Sequence, residues 1–111
     1  MTSLKAGDIA WVVLDPVIAE QGGRRPAIVL TDGDYNSFYS RSIVCPITRN
    51  VTLWPTKVLL PVGMKTAGAI LADQPRTVHR EGRSFCFIER APDEVLAQVR
   101  AILVAILGTS A

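Results

Sequence analysis

Cysteine, histidine and aromatic residues are scarce in this 111-residue sequence: two Cys, one His, two Trp, two Tyr and three Phe. Each shortage excludes a class of protein. Cys45 and Cys86 lie in the apolar strings Ile-Val-Cys-Pro and Phe-Cys-Phe, which read as reduced core thiols rather than a bridge. Without a Cys-x-x-Cys pair or a His/Cys cluster there is no ligand set for a structural zinc, and no metal or other cofactor is expected. A single histidine, His79, excludes an acid–base pair of imidazoles within one subunit. Set in Arg76-Thr77-Val78-His79-Arg80, it reads as a partly exposed strand-end residue. The longest stretch without Asp, Glu, Lys or Arg is residues 101–111, short of the roughly 20 apolar residues that span a bilayer. Met1–Asp8 carries one lysine and no apolar core, so no secretory signal is read there, and the expected compartment is the cytoplasm.

What is present describes a folded chain. Hydrophobic residues make up 49% and charged residues 20%, with mean hydropathy +0.28, which fits one globular domain over residues 1–111 and no disordered tail. The net charge of +2 conceals segregation. Residues 1–40 hold three basic and five acidic groups, residues 41–90 eight and three, and residues 91–111 one and two. The middle is therefore +5, enough to build a phosphate-attracting face if the cations gather on one side.

Short apolar runs set between turn residues fill the first 90 positions. Ile9–Leu14, Pro26–Leu30, Ser42–Ile47, Lys57–Leu60, Gly68–Ala72 and Ser84–Glu89 have strand length and composition. Gln21-Gly22-Gly23, Thr31-Asp32-Gly33-Asp34 and Pro61-Val62-Gly63 read as turns between them. Ile9-Ala10-Trp11-Val12-Val13-Leu14 is apolar on both faces, as expected of a small barrel. The period then changes. After Pro92, with Asp93 and Glu94 suited to a positive helix N-terminus, the residues Val95, Leu96, Val99, Ile102, Leu103, Ile106 and Leu107 form one stripe that Gly108 ends. The opposite face, with Ala97, Ala101, Val104 and Ala105, is weakly polar. It predicts a second packing partner, most simply another copy of the chain.

Three clusters carry candidate chemistry. In Glu20-Gln21-Gly22-Gly23-Arg24-Arg25-Pro26, two arginines follow two glycines at the mouth of a strand. Pro26 biases Arg25 toward extended backbone, and a guanidinium so placed suits an oxyanion or phosphate. In Cys45-Pro46-Ile47-Thr48-Arg49-Asn50, a strand opens into a loop with a hydroxyl and a further cation. In Leu71-Ala72-Asp73-Gln74, a strand ends in a carboxylate and an amide able to pin a loop or bond a base edge.

These clusters, in this order and with Gly7-Asp8-Ile9-Ala10-Trp11-Val12, Asp15-Pro16, Tyr35-Asn36 and the closing Pro92-Asp93-Glu94 helix, resemble the MazF/PemK family of endoribonuclease toxins. The resemblance runs from Gly7 to Gly108. It implies a mainly β, α+β fold, an SH3-like small barrel with a C-terminal helix. It also implies a homodimer that cleaves single-stranded RNA at short sequences, held in check by a cognate antitoxin filling the RNA groove. Family catalysis implies Arg25 and Thr48 as catalytic residues, with Glu20 in support. RNA contacts are expected from Gln21, Gly22, Gly23, Arg24, Arg49, Trp54, Asp73, Gln74 and Arg76.

The implied reaction is attack of a ribose 2′-hydroxyl on the adjacent phosphorus, leaving a 2′,3′-cyclic phosphate and a 5′-hydroxyl without a metal. Donors fixed on the nonbridging oxygens lower that barrier. The family assigns proton transfer to arginine; arginine resists deprotonation, and Glu20 is the alternative acceptor. Arg49 stands where the family commonly has a small hydroxyl residue, and the loop Asn50–Pro55 and Pro75 also depart from its pattern. Trp54 suits either base stacking or the barrel rim. Two other readings use the same scaffold: a gyrase-poisoning toxin like CcdB, whose Trp-Gly-Ile ending is missing from Gly108-Thr109-Ser110-Ala111, and a catalytically inactive relative.

Overall fold

The computed structural model describes residues 4–13, 23–80 and 85–108. Among them the chain forms β1 (Asp8–Val13), β2 (Arg24–Val29), α1 (Gly33–Phe38), β3 (Arg41–Thr48), β4 (Lys57–Leu59), β5 (Ala69–Leu71), β6 (Arg76–His79), β7 (Cys86–Arg90) and α2 (Asp93–Leu107). The expected mainly β architecture with a C-terminal helix is the one adopted. Its sheet is open and antiparallel, in the order β4-β5-β3-β2-β1-β7, with β6 attached to β3 off that path. The two ends of the path are tied by a side chain. Glu89 on β7 accepts from the N–H of Lys65 (3.1 Å) and of Thr66 (2.7 Å) in the β4–β5 connection.

Both faces of the sheet are buried, which explains strands that are apolar throughout. Ile9, Ile28 and Cys45 are cross-strand partners and enter one cluster with Ile47, Ile70, Val95 and Val99. One residue along each strand, Val12, Ala27, Val29 and Val44 turn to the other face and meet Val78 of β6. This is the two-residue period of a strand with a core on either side. Each Ile or Val buried this way contributes about 1.5–3 kcal/mol.

Strand β3 holds the sheet together and forks it. On one side Val44, Cys45 and Pro46 pair with β2. On the other, Arg41–Val44 pair with β6 and Ile47–Thr48 with β5. Between the two arms the Cys45 thiol donates to the Ala72 carbonyl at 3.8 Å. Burial, then the nearby Asp73 carboxylate, push this thiol up to about 12. Pro46, which has no N–H to give, sits at the fork where neither arm pairs with it.

Helix α2 starts after Pro92, which occupies the N-cap position, and ends where Gly108 adopts a left-handed conformation (φ +66°) and donates to the Val104 carbonyl at 3.1 Å. That backbone region favours glycine. Val95, Leu96 and Val99 are buried, and Ile102 and Leu103 pack partly against the first cluster. The apolar stripe outruns its cover: Ile106 and Leu107, read as core-facing, are 51% and 68% exposed. No helix among the described residues is long and apolar enough to cross a membrane.

Three sequence expectations are corrected. Asp32–Asp34 does not form a simple turn: Asp32 caps α1 by accepting from the Tyr35 N–H (3.1 Å), and buried Asn36 ties that helix to Thr31 and to Ser42 of β3. Arg76–His79 is a full strand, whose Val78 the second face needs as cover. Cys86 is exposed, because β7 is an edge strand with a register shift against β1. Cys45 is buried as expected, and both thiols are free.

Candidate active site

The β2–β3 ladder runs Val29↔Val44, Ile28↔Cys45, Ala27↔Pro46 and stops. The next residue of β2 is Pro26, whose missing N–H ends the ladder and leaves the strand tips unpaired with each other. Continued by two residues, the same register sets Arg25 opposite Thr48. Here an open cleft of about 790 Å³ forms. Trp11, Arg24, Arg25 and Pro26 line one side, Ile47–Val51 the floor and mouth, and Lys65–Gly68 the far wall. Among the described residues, three arginines and one lysine face this space, and no Asp or Glu lines it. Such a cleft selects a polyanion.

The Thr48 hydroxyl oxygen accepts from the Asn50 N–H at 3.1 Å. The O–H proton is thereby left to donate outward. Asn50 Oδ1 accepts in turn from the Thr52 N–H at 3.0 Å. Lys57 Nζ donates to the carbonyls of Asn50 (2.9 Å) and Thr52 (3.2 Å), closing the loop from behind. Arg24 is steadied differently. Its guanidinium lies 5.6 Å from the centroid of the Trp11 ring, with Cys86 Sγ 4.0 Å from one of its nitrogens, an arrangement that orients a cation without neutralising it.

The far wall depends on Glu89. Partial burial pushes its carboxyl up, but the bonds from the N–H groups of Lys65 and Thr66 and the Lys65 charge help to outweigh that, so its pKa falls below its ordinary value. A carboxylate that stays ionised keeps the two amides fixed. Gly68 brings this wall against β3. At φ +133° its backbone is so near that a Cβ there would lie 2.2 Å from the Thr48 carbonyl oxygen. Only glycine allows that approach.

Of the expected site residues, Arg24, Arg25, Thr48 and Arg49 come together in the cleft. Glu20, Gln21 and Gly22 lie outside the described residues. Gly23, half-buried, precedes β2 and is not part of the lining; Trp54 is 64% exposed within the loop after β3 and is not part of it either. Asp73, Gln74 and Arg76 are exposed on the β5–β6 side, also outside the lining. His79 pairs with Arg41, seven residues along β3 from Thr48, hence about 23 Å away along the strand. Sequence reasoning missed Trp11, Asn50 and Lys65 as lining residues. Trp11 looks like any residue of an apolar strand, and Lys65 stands among turn residues with no motif around it. Among the described residues no three His, Cys, Asp or Glu side chains gather into a potential metal site.

Comparison with known proteins places this geometry. Residues 5–107 match the family described as PemK-like, MazF-like toxin of type II toxin–antitoxin system. The chain is 32% identical over 111 residues to the endoribonuclease PemK of Escherichia coli, which covers 96% of this chain and 84% of that protein. Among solved structures, MazF of Deinococcus radiodurans superposes with a TM-score of 0.86 at 35% identity, covering 98% of this chain and all (100%) of that one. A MazE–MazF crystal structure from the same organism gives 0.85 at 34% identity, with coverage of 99% and 100%.

Proposed function

The chain belongs to the family of PemK-like, MazF-like toxins of type II toxin–antitoxin systems and is an endoribonuclease, and we propose that it cuts single-stranded RNA in the cleft where β2 and β3 end. The attacking group is the ribose 2′-hydroxyl next to the scissile phosphate. Its oxygen bonds to phosphorus while the bond to the 5′-oxygen breaks; one proton leaves the 2′-hydroxyl and one reaches the departing oxygen. The products are a 2′,3′-cyclic phosphate and a 5′-hydroxyl. DNA, lacking the 2′-hydroxyl, is bound but not cut.

Arg25 and the outward Thr48 hydroxyl meet the negative charge that builds on the nonbridging oxygens. Arg25 acts as a fixed donor. Among the assigned residues Glu20 is the carboxylate able to take the 2′-hydroxyl proton. Arg24, Arg49 and Lys65 hold the flanking phosphates, and these cations supply the charge compensation that a metal would otherwise bring. Gln21, Gly22 and Gly23 extend the contacts ahead of Arg24, while Trp54, Asp73, Gln74 and Arg76 meet RNA leaving the cleft.

The carrying observation is a cleft that joins Arg25 and Thr48 with two further arginines and a lysine, with no carboxylate lining it among the described residues, which do not include Glu20. A CcdB-like gyrase poison gives these residues no task. The partner is an antitoxin, which we place in the same cleft. A second copy of the chain covers the exposed last turn of α2, where Val104, Ile106 and Leu107 are 51%, 51% and 68% exposed. The cytoplasm, where RNA and antitoxin meet, is the assigned compartment. Digesting a defined single-stranded RNA in EDTA and mapping the ends tests the reading. Cyclic-phosphate and 5′-hydroxyl ends are expected, and Arg25→Ala lowers kcat by about 10²–10³ while the fold is kept. Undiminished cleavage by Arg25→Ala, or a strict magnesium requirement, overturns it.

A further inference from the structure

Lys57 is one of the eight cations of the basic middle of the sequence, yet it does not line the cleft. Its ammonium group donates instead to the carbonyls of Asn50 and Thr52, at 2.9 and 3.2 Å. Its own N–H donates to the Trp54 carbonyl at 3.0 Å, so the strand that begins at Lys57 is joined to both ends of the preceding loop. The N–H of Asn50 is the group that engages the Thr48 hydroxyl, and the N–H of Thr52 engages the Asn50 side chain. A chain of bonds thus leads from one ammonium, through Asn50, to the Thr48 hydroxyl.

We infer that Lys57 is a positioning residue for Thr48: it fixes the loop from behind, and it touches no RNA. This rests on the assignment of Thr48 to the reaction. The carbonyls that receive the ammonium belong to the peptide units after Asn50 and Thr52, and the N–H that meets Thr48 Oγ1 belongs to the unit before Asn50, so the ammonium acts by holding the residue between the two units. With Asn50 held, its N–H stays on Thr48 Oγ1 and the hydroxyl proton is left to the substrate. Without the ammonium, the loop keeps its two weaker side-chain bonds and gains the rotational freedom they do not remove. Misplacing a reacting group by about 1 Å is enough to cost on the order of a hundredfold.

The test is steady-state cleavage of a defined single-stranded RNA by the full chain carrying Lys57→Met, which keeps the apolar stem, and Lys57→Arg, which keeps the charge. Lys57→Met is expected to lower kcat by about 10- to 100-fold with KM and its salt dependence unchanged, and Lys57→Arg to restore most of the loss. On a Thr48→Val background, Lys57→Met should have no further effect, which a general loss of stability would not reproduce. Raised KM with a shallower salt dependence would make Lys57 a phosphate contact and overturn the inference. So would an unchanged kcat, or an equal loss on the Thr48→Val background. If the wild-type chain cuts and Lys57→Met equals it, only this inference fails. If the wild-type chain does not cut RNA at all, the assigned reaction fails and this inference with it.

Discussion

Salt is the perturbation that interrogates the cleft most directly, because the number of cations facing it is known. Four of them, Arg24, Arg25, Arg49 and Lys65, line the space. Each phosphate neutralised on single-stranded nucleic acid contributes about −0.7 to the slope of log affinity against log salt, so four contacts give about −2.8. Raising monovalent salt from about 50 to about 200 mM should then weaken binding about fifty-fold, and for Arg49→Ala, with a slope near −2.1, about eighteen-fold. The assay is fluorescence anisotropy with an oligonucleotide blocked at the scissile 2′-hydroxyl and too short to reach Arg76, so that binding in the cleft alone is read without cleavage. A composition-level count would place all eight basic residues of the middle segment on the RNA and predict twice the slope. A slope much steeper than −2.8, a flat dependence, or an Arg49→Ala slope equal to wild type would refute the reading of the cleft as the phosphate-binding surface.

Two further outcomes follow from the far wall. Gly68→Ala should destabilise the protein by more than about 1 kcal/mol, since it combines positive φ with a Cβ driven into the Thr48 carbonyl; a melting temperature equal to wild type would show that the wall does not press on β3. Glu89→Gln should destabilise the protein at neutral pH. The folded-state pKa of Glu89 lies below its ordinary 4.5, so its stabilisation is complete above that value and disappears as the pH falls through the folded pKa. Urea midpoints of wild type and variant should therefore draw together as the pH falls from 4.5 through the folded pKa, and a gap that does not narrow on acidification below 4.5 would refute the assignment.

Most strands and the terminal helix were legible because burial writes itself into residue order. The strands fell within a residue or two of their observed bounds wherever both faces were apolar, and Gly108 marked the helix end by its backbone requirement. Short elements held by polar contacts were not legible. Helix α1 exists through the Asp32 cap and the Asn36 bonds to Thr31 and Ser42, and β6 through the one side chain, Val78, that closes a face. Cys86 was misjudged for a related reason: apolar neighbours in sequence do not reveal that a strand lies at an edge. In the site, Arg25 and Thr48 could be paired because each lies in a recognisable motif, Arg25 next to Pro26 and Thr48 two residues after Pro46. Trp11, Lys65 and the Lys57 bonds depend on which strands lie side by side, and nothing local announces that.

The fork in β3 has a chemical consequence as well as an architectural one. Its centre is a thiol that burial pushes up to about 12, so at neutral pH it is held in the protonated form and not as the thiolate that oxidants and electrophiles attack. Sulfenylation or glutathionylation of Cys45 would wedge oxygen or a peptide between the two arms of the sheet, within three residues of Thr48. Burial withholds the reactive form there, so the joint on which both cores and the cleft depend remains inert under oxidative stress.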